Sequence, residues 1–491
     1  MVYTADQILI KGLEIEEIIN LHIQCQVGQH SFLTMTGYLK EGTEEKTIYH
    51  LREQERITVQ LKKKGTIFSG VLTNLSIQGE GNVSKVTLEA KSLSWLMDRK
   101  KKSRSFQRTS MTYQQLVAKI VQEYPKTNMK FCVEDKPIGE IAVQYNETDW
   151  EFLSRMCSEL HAPLTCRLHG EQTELYIGVP NVKKEEFTYQ KKSFQKQFGQ
   201  YDYWMKQGKK VNDSDFFIMT IKTNHLPEIF ESISYKGKAF VIKSYEYRLK
   251  KGVLSCYCDL QKKEGILAKR KYPMHIIGIA LSSKVLEISG TQVKVHLDID
   301  KDGSEDVHWF DFSTLSASKD GSGWYYMPEK GDQVRIYFPS KHTKDAIAIS
   351  AVNTYEGEMP ESKKGTTSTA SASSSSSSST SSAESSDKMS NPSTKYLSNT
   401  NGQEMKMGEE GIFLSCAGGS AVVQIGNDGT LTLQSAQTIE IQAENNISIE
   451  AEEDLIVHGS EMVAVACAKG GQIQLTKDGT LKIQGTEVKI D

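Results

Sequence analysis

The sequence predicts a mainly β protein with two β-rich domains carrying inserted helices, an OB-fold, a Ser-rich linker and a C-terminal trimeric β-prism (a triangular β-helix). Three observations predict it. Residues 1–273 alternate apolar and polar positions and break into helix-like spacing only twice. A run of serines then interrupts the chain, and the residues beyond it repeat with a period of eight.

The 491 residues allow roughly three or four domains. A hydrophobic content of 38% and a charged content of 25% fit a soluble protein, and no run of ~18 apolar residues offers a transmembrane helix. The N-terminus, MVYTADQILIKGLEIEEI, lacks the charged-then-apolar layout of a signal peptide, so export would use a route other than general secretion. The cysteines are scattered without a CxxC pair and read as buried thiols in a reducing cytosol. Residues 1–273 hold 42 Lys+Arg against 32 Asp+Glu, whereas residues 402–491 hold 5 against 14. A nucleic-acid binder would show a basic face with aromatic platforms, and the C-terminal part has the wrong sign, so no nucleic acid is expected as a partner.

The first domain spans 1–110, where turns at Gly65, Gly79 and Gly81 punctuate an antiparallel meander. The second spans 111–273. Its first helix is expected over Thr112–Tyr124, with Leu116, Ile120 and Val121 on one face and Pro125 as the stop. Its second is expected over Asp149–His161, with Trp150, Leu153, Met156, Cys157 and Leu160 at helical spacing and Thr148 or Asp149 as N-cap. Cys256 and Cys258 fall on one face of a later strand. Residues 274–355 read as the OB-fold. There TQVKVHLDID alternates, Asp302-Gly303 turns the chain, and DQVRIYFPS follows the Lys330-Gly331 turn. Residues 356–392 form the linker. Its centre, Thr366–Ser386, has no side chain able to build a core, and its r.m.s. reach is on the order of 30 Å.

The last segment, 393–491, reads as a trimeric β-helical rod, whose periodicity alone does not choose among a fibre, an adhesin stalk and a piercing spike. From Thr430 it runs in octads whose second and fourth positions are apolar: Leu431 and Leu433, Ile439 and Ile441, Ile447 and Ile449, Leu455 and Val457, Val463 and Val465. Each octad reads as one short strand and one bend, with a thin apolar stripe on one side and Thr, Glu, Gln and Ser on the other. Such rungs cannot stay flat alone in water. Three copies around an axis cover every stripe and leave no long free edge, which favours a homotrimer over a single-chain solenoid.

At this point the chain resembles a known family. The segment QYNETDWEFLSRMCSELHAPL, Gln144–Leu164, resembles the signature of VgrG and phage late-control tail-hub proteins, through Tyr145, Glu147, Thr148, Asp149, Phe152, Leu153 and Arg155. The stretch GWYYMPEKGDQVRIYFPS, Gly323–Ser340, is similar to the family's OB motif through Trp324, Pro328 and Gly331. The octads resemble the family's prism. The resemblance implies a homotrimeric hub and spike of a contractile injection system, with residues 1–110 and 111–273 as two barrel-like hub domains and 393–491 as the spike. It would sit at the baseplate centre, terminate the inner tube and pierce a target envelope. Implied partners are the tube protein, baseplate proteins, a tip cap or effector and, transiently, the target membrane. Implied localisation is synthesis in the bacterial cytoplasm, assembly into the apparatus and delivery out of the cell. The serine linker departs from the family pattern, in which the prism follows the OB domain closely.

Other chemistry was weighed against these readings. Asp298-x-Asp300-x-Asp302-Gly303 opens like a calcium loop, but the twelfth position is Trp309 instead of Glu. No HExxH, GxSxG or P-loop occurs, His458 reads as solvated, and Glu452, Glu453 and Asp454 read as a charged exterior. No catalytic residue, cofactor or metal site is therefore expected. The basic run Arg99-Lys100-Lys101-Lys102 with Arg104 reads as a surface loop, the alternative being contact with an acidic partner. Two other functions stay open at this level: a tail lysin that cuts cell wall, and an adhesive trimeric fibre.

Overall fold

The computed structural model describes all residues except 1, 51–54, 82, 170–171, 182–187, 301–306, 315, 318–322, 325–326, 351–392, 399–401, 417–418, 469 and 488–491. The Asp302-Gly303 turn and the serine linker lie outside the described residues. The chain divides into two compact units, Met1–Thr354 and Tyr355–Asp491.

The first unit begins with β1 (Tyr3–Thr4), β2 (Ile8–Lys11), β3 (Ile15–Gln26), β4 (Phe32–Leu39), α1 (Glu44–His50), β5 (Arg56–Leu61), β6 (Gly65–Glu80) and β7 (Val83–Ser92). A helical segment follows: β8 (Lys101–Phe106), α2 (Tyr113–Val121), β9 (Thr127–Phe131), β10 (Ala142–Thr148), α3 (Asp149–Glu159), β11 (Leu164–His169) and β12 (Gln172–Ile177). Next come β13 (Lys191–Lys196), α4 (Phe198–Lys206), β14 (Phe217–Thr223), β15 (Ser232–Tyr235), β16 (Lys238–Lys250) and β17 (Val253–Gln261).

The segments expected as two barrel-like domains share one twelve-stranded sheet, in which ten strands run in the order β13-β14-β17-β16-β3-β4-β7-β6-β5-β2 while β1 pairs with β17 and β15 with β16. The joint is the antiparallel pairing of β16 with β3, which sets Tyr247 opposite Ile23 and Leu249 opposite Leu21. Alternation over the paired stretch makes this possible, because Leu21, Ile23 and Cys25 of β3 and Tyr245, Tyr247 and Leu249 of β16 enter one core with Leu33, Leu88, Ile242 and Leu260. Cys256 and Cys258 enter that core from one face of β17, with their sulfurs in contact.

Both expected helices form, each slightly shorter than the periodic stretch. Thr112 caps α2 and Thr148 caps α3 through reciprocal side-chain and backbone bonds with Gln115 and Glu151. Leu116, Ile120, Phe152, Leu153 and Cys157 then pack in a second core with Leu164 and Leu175.

The OB-fold consists of β18 (Ala280–Ser289), β19 (Gln292–Leu297), β20 (Trp309–Asp311), the short hairpin β21 (Ser316–Ala317) with β22 (Gly323–Trp324), β23 (Gln333–Tyr337) and β24 (Ile347–Ile349). Its main sheet runs β20-β19-β18-β23-β24, and a parallel bridge from Phe312 to Ala348 closes the barrel. Val293, Val295, Leu297, Phe310, Val334 and Ile336 fill it. Among the described residues no helix is long and apolar enough to cross a membrane.

The second unit holds two antiparallel sheets. One comprises β25 (Lys395–Ser398), β26 (Glu404–Gly408), β27 (Gly411–Cys416), β28 (Ala421–Gly426) and β29 (Leu431–Ser435). The other comprises β30 (Met462–Ala466), β31 (Gln472–Thr476) and β32 (Leu481–Gln484).

Candidate functional site

The motif at Gln144–Leu164 folds as strand β10, a cap and helix α3, and it brings together the densest set of buried charges in the hub. β10 pairs antiparallel with β8 until a bulge between Gln144 and Glu147 shifts the register. The bulge takes Asn146 to a φ of +50° and lets Tyr145 stack on His275, whose Nε2 lies 2.6 Å from the Tyr145 carbonyl. After the bulge the Glu147 side chain turns inward.

Glu147 and Arg155 are each 6% exposed. Arg155 Nε and Nη2 donate to the two Glu147 carboxylate oxygens at 2.9 and 2.7 Å, and Nη2 also donates to the Val143 carbonyl at 2.7 Å. This fork joins the second turn of α3 to the strand before it, and only arginine presents such paired donors. Phe152 stacks on Phe106 of β8, with ring centroids 5.6 Å apart.

Asp149 has no exposed surface. Its carboxylate accepts from Lys102 Nζ at 2.6 Å, Arg104 Nη2 at 2.7 Å, the Tyr124 hydroxyl at 2.6 Å and Gln144 Nε2 at 2.9 Å. Lys102 and Arg104 also pair with Glu123. Burial pushes the Asp149 carboxyl up, but the hydrogen bonds from Lys102, Tyr124 and Gln144 and the charge of Arg104 together hold it below the usual carboxylate range. Burial and the neighbouring Asp149 push the Tyr124 phenol up. Asp149 also sits in the first turn of α3, where a negative charge suits the helix dipole. A carboxylate closed off by four donors binds structure together instead of reaching a substrate.

The basic run read as a surface loop is therefore two things. Arg99 and Lys100 precede β8, while Lys102 and Arg104 share one face of that strand and meet acids of their own chain. The readable signal was the Lys-Ser-Arg alternation, which puts both cations on one side. Their partners Glu123, Tyr124 and Gln144 carried none, because they come from a helix end and a separate strand.

The same strand ties the hub to the OB barrel. Ile141 and Val143 are buried in the OB core, while Ala142 belongs to the hub's second core. Asp300 accepts from the Ser105 backbone N–H and hydroxyl, both at 2.6 Å, and Thr343 Oγ1 donates to the Ile141 carbonyl at 2.7 Å. Asp300, weighed as a calcium ligand, is thus engaged by β8. No group of three or more His, Cys, Asp or Glu side chains gathers among the described residues. In the second motif, Trp324 lies on β22 opposite Ser316. Pro328 is buried, and Gly331 takes a φ of +101° to turn the chain and donate its N–H to the Val285 carbonyl.

The octad residues are placed differently. Leu431 and Leu433 lie on β29, and Val463 and Val465 on β30. Ile439, Ile441, Ile447, Ile449, Leu455 and Val457 fall between these strands, where the single chain forms none. Cross-strand register lines up Leu397, Met405, Leu414, Val423 and Leu433 in one ladder and Met407, Ile412, Ile425 and Leu431 in the next, all on one face. The smaller sheet repeats this with Val465, Ile473 and Ile483. Most of these side chains are exposed in the chain alone, Ile441 by 66% and Val465 by 68%.

Residues 52–160 match the phage tail baseplate hub family, and residues 287–352 match the type VI secretion system/phage-baseplate injector OB domain. No curated protein matches by sequence search. An E. coli type VI secretion system component, described as structurally similar to the T4 bacteriophage tail proteins gp27 and gp5, superposes with a TM-score of 0.53 at 14% identity, over 70% of this chain and 99% of its own. The VgrG complex with PdpA from Francisella gives a TM-score of 0.52 at 9% identity, over 85% of this chain and 83% of that one. These likenesses show a shared fold. A baseplate-hub match followed on one chain by an injector OB-domain match is the domain order of the VgrG and phage late-control tail-hub proteins that the sequence resembles.

Proposed function

We propose that three copies of this chain assemble as the central hub and spike of a phage-tail or type VI-like machine, ending its inner tube and driving a needle through a target envelope. The baseplate hub and spike role follows from the two family matches. Trimerisation is supported by one observation above the others: the C-terminal unit arranges its Leu, Ile and Val residues in regular ladders and leaves them open to water. Soluble proteins rarely leave so continuous an apolar face uncovered, and sister copies carrying the same face cover it by symmetry. The interleaved octads between β29 and β30, strandless in one chain, would pair as rungs once three chains wrap together.

The role is mechanical. The buried charges of the hub are saturated by one another, and the hub and spike families are structural. The tube protein, the baseplate and a cap or effector at the tip are the expected partners, consistent with a VgrG complexed to PdpA. Synthesis in the bacterial cytoplasm followed by delivery with the apparatus is the matching localisation. Mass measurement of the full chain in solution tests the central claim. The expected result is three times the 55.0 kDa chain, in a particle that resists heat and detergent. A stable monomer overturns it. Zymography on peptidoglycan tests the mechanical role, since clearing by the purified chain would establish a tail lysin instead.

A further inference from the structure

Three distant stretches of sequence bring lysines to one place: Lys136, then Lys206, Lys209 and Lys210, then Lys269 and Lys271. Trp204 on α4, 1% exposed, is the centre of the gathering. Its indole meets the His161 ring edge-on, with centroids 5.0 Å apart, and the Tyr203 ring at 5.1 Å. Lys209 donates its backbone N–H to the Trp204 carbonyl at 3.0 Å, and Ala268 donates its own to the His161 carbonyl at 2.9 Å. Lys269 Nζ lies 4.4 Å from the Tyr203 ring centroid. The Lys271 N–H donates to Ser158 Oγ of α3 at 2.8 Å. Burial pushes the His161 pKa down, and the charges of Lys209, Lys136 and Arg270 push it the same way, as cations close to the ring do.

Arg270 pairs with Glu159 at 2.6 Å. The six lysines have no such relief. Among the described residues no carboxylate lies within ion-pair distance of any of them. Five are exposed and Lys209 is half-buried. Asp135, next to Lys136, turns its carboxylate to the backbone N–H groups of Gln114 and Lys136. By contrast Lys102, Arg104, Arg155 and Lys262 of the hub each meet an acid. Six uncompensated cations on one surface repel one another until something negative covers them.

We propose that this lysine patch docks an acidic segment of a partner polypeptide. The proposal rests on the baseplate role given above for where the partner comes from, and it adds the surface and its chemistry. Separate ammonium groups on flexible stems suit carboxylates spaced along a chain. A single-stranded nucleic acid needs open aromatic faces to stack on, but Trp204 is buried and Lys269 covers Tyr203. An anionic membrane needs an apolar face beside the charges. Among residues 199–210 and 268–271 only Met205 is an exposed large apolar side chain, and Phe198, at the other end of α4, sits against Lys196.

Binding to the full chain at low salt tests it, with three probes: a short fluorescent poly-glutamate peptide, a single-stranded DNA of matched charge, and vesicles of phosphatidylglycerol with phosphatidylcholine. Poly-glutamate is expected to bind the unmutated chain, and more weakly as salt rises. Lys209→Glu with Lys269→Glu is expected to weaken it at least about tenfold. Lys136→Glu with Lys271→Glu, which leaves the Tyr203 contact intact, is expected to weaken it likewise. Lys62→Glu with Lys63→Glu makes the same charge change on an exposed turn elsewhere and is expected to leave binding as it was. Absence of peptide binding, or equal loss in all three double variants, overturns the docking site. DNA or vesicle binding that exceeds the peptide's and falls in the two patch variants overturns the polypeptide assignment. A three-chain mass without patch-dependent peptide binding overturns the docking site and leaves the trimer standing. A one-chain mass with such binding overturns the trimer and leaves the docking site, since the patch lies within one chain.

Discussion

The hub and the C-terminal unit use the same alternating apolar pattern and end in opposite states. In the hub, Ile23, Leu33 and Leu88 are fully buried, because strands from both hub segments contribute side chains to one core within the chain. In the C-terminal unit, Leu431, Ile473 and Ile483 stand in equally regular ladders with half or more of their surface in water. Alternation decides that a strand has an apolar side. Whether that side is covered depends on how many layers the chain can supply, and a single five-stranded or three-stranded sheet supplies one. The hub packs its apolar side chains into interior cores, whereas the C-terminal unit is open across a face.

The largest test of this contrast is Ile441→Asp or Ile449→Asp. A carboxylate placed on a dry axis in three copies costs several kcal/mol per copy, so the detergent-resistant complex is expected to disappear on a gel of unheated sample. Unchanged resistance in either variant would refute the inward assignment. The next is Arg155→Met, which strands the Glu147 carboxylate in the hub. Breaking a buried pair on one side costs about 3–5 kcal/mol, read by chemical denaturation followed through the hub tryptophans. Self-association through the C-terminal unit should survive it under native conditions. If the complex dissociates instead, the two regions are not independent.

Acid titration gives the third test. Asp149 is held below its ordinary range in the folded hub. A carboxyl with a depressed folded pKa contributes stability that is fully present above its unfolded value, about 3.9, and is lost as the pH falls from there toward the folded pKa. Hub stability is therefore expected to drop below about pH 4, and Asp149→Asn should flatten that limb while lowering stability at neutral pH. The smallest effect is Thr148→Ala, which removes one half of the α3 capping box and is expected to cost about 1 kcal/mol in the same denaturation experiment.

Several parts of this molecule were readable from local pattern. The start of α3 followed from Thr148 or Asp149 as the cap before a helical apolar stripe, and the structure makes Thr148 the cap, bonded reciprocally with Glu151. The OB turn followed from Gly331, whose left-handed backbone most side chains resist. The hub domain and the OB-fold were legible in their order, and the family likeness rested on residues that the structure gathers around β10. The β3–β16 pairing that joins the two hub segments was not legible, since strands more than two hundred residues apart leave no mark on each other's spacing. The basic run was half legible, because the shared face of Lys102 and Arg104 is local and their acid partners are not.

Periodicity, capping residues and turn glycines thus settled which segments become strands or helices and which of their sides are apolar, since these properties depend on neighbours within a few positions. Only the folded chain decided that Asp149 would be enclosed by Lys102, Arg104, Tyr124 and Gln144, that β10 would belong to two cores, and that strands of both hub segments would share one sheet. Each of these is a meeting of distant segments, chosen by which faces remain to be covered once the local structure has formed.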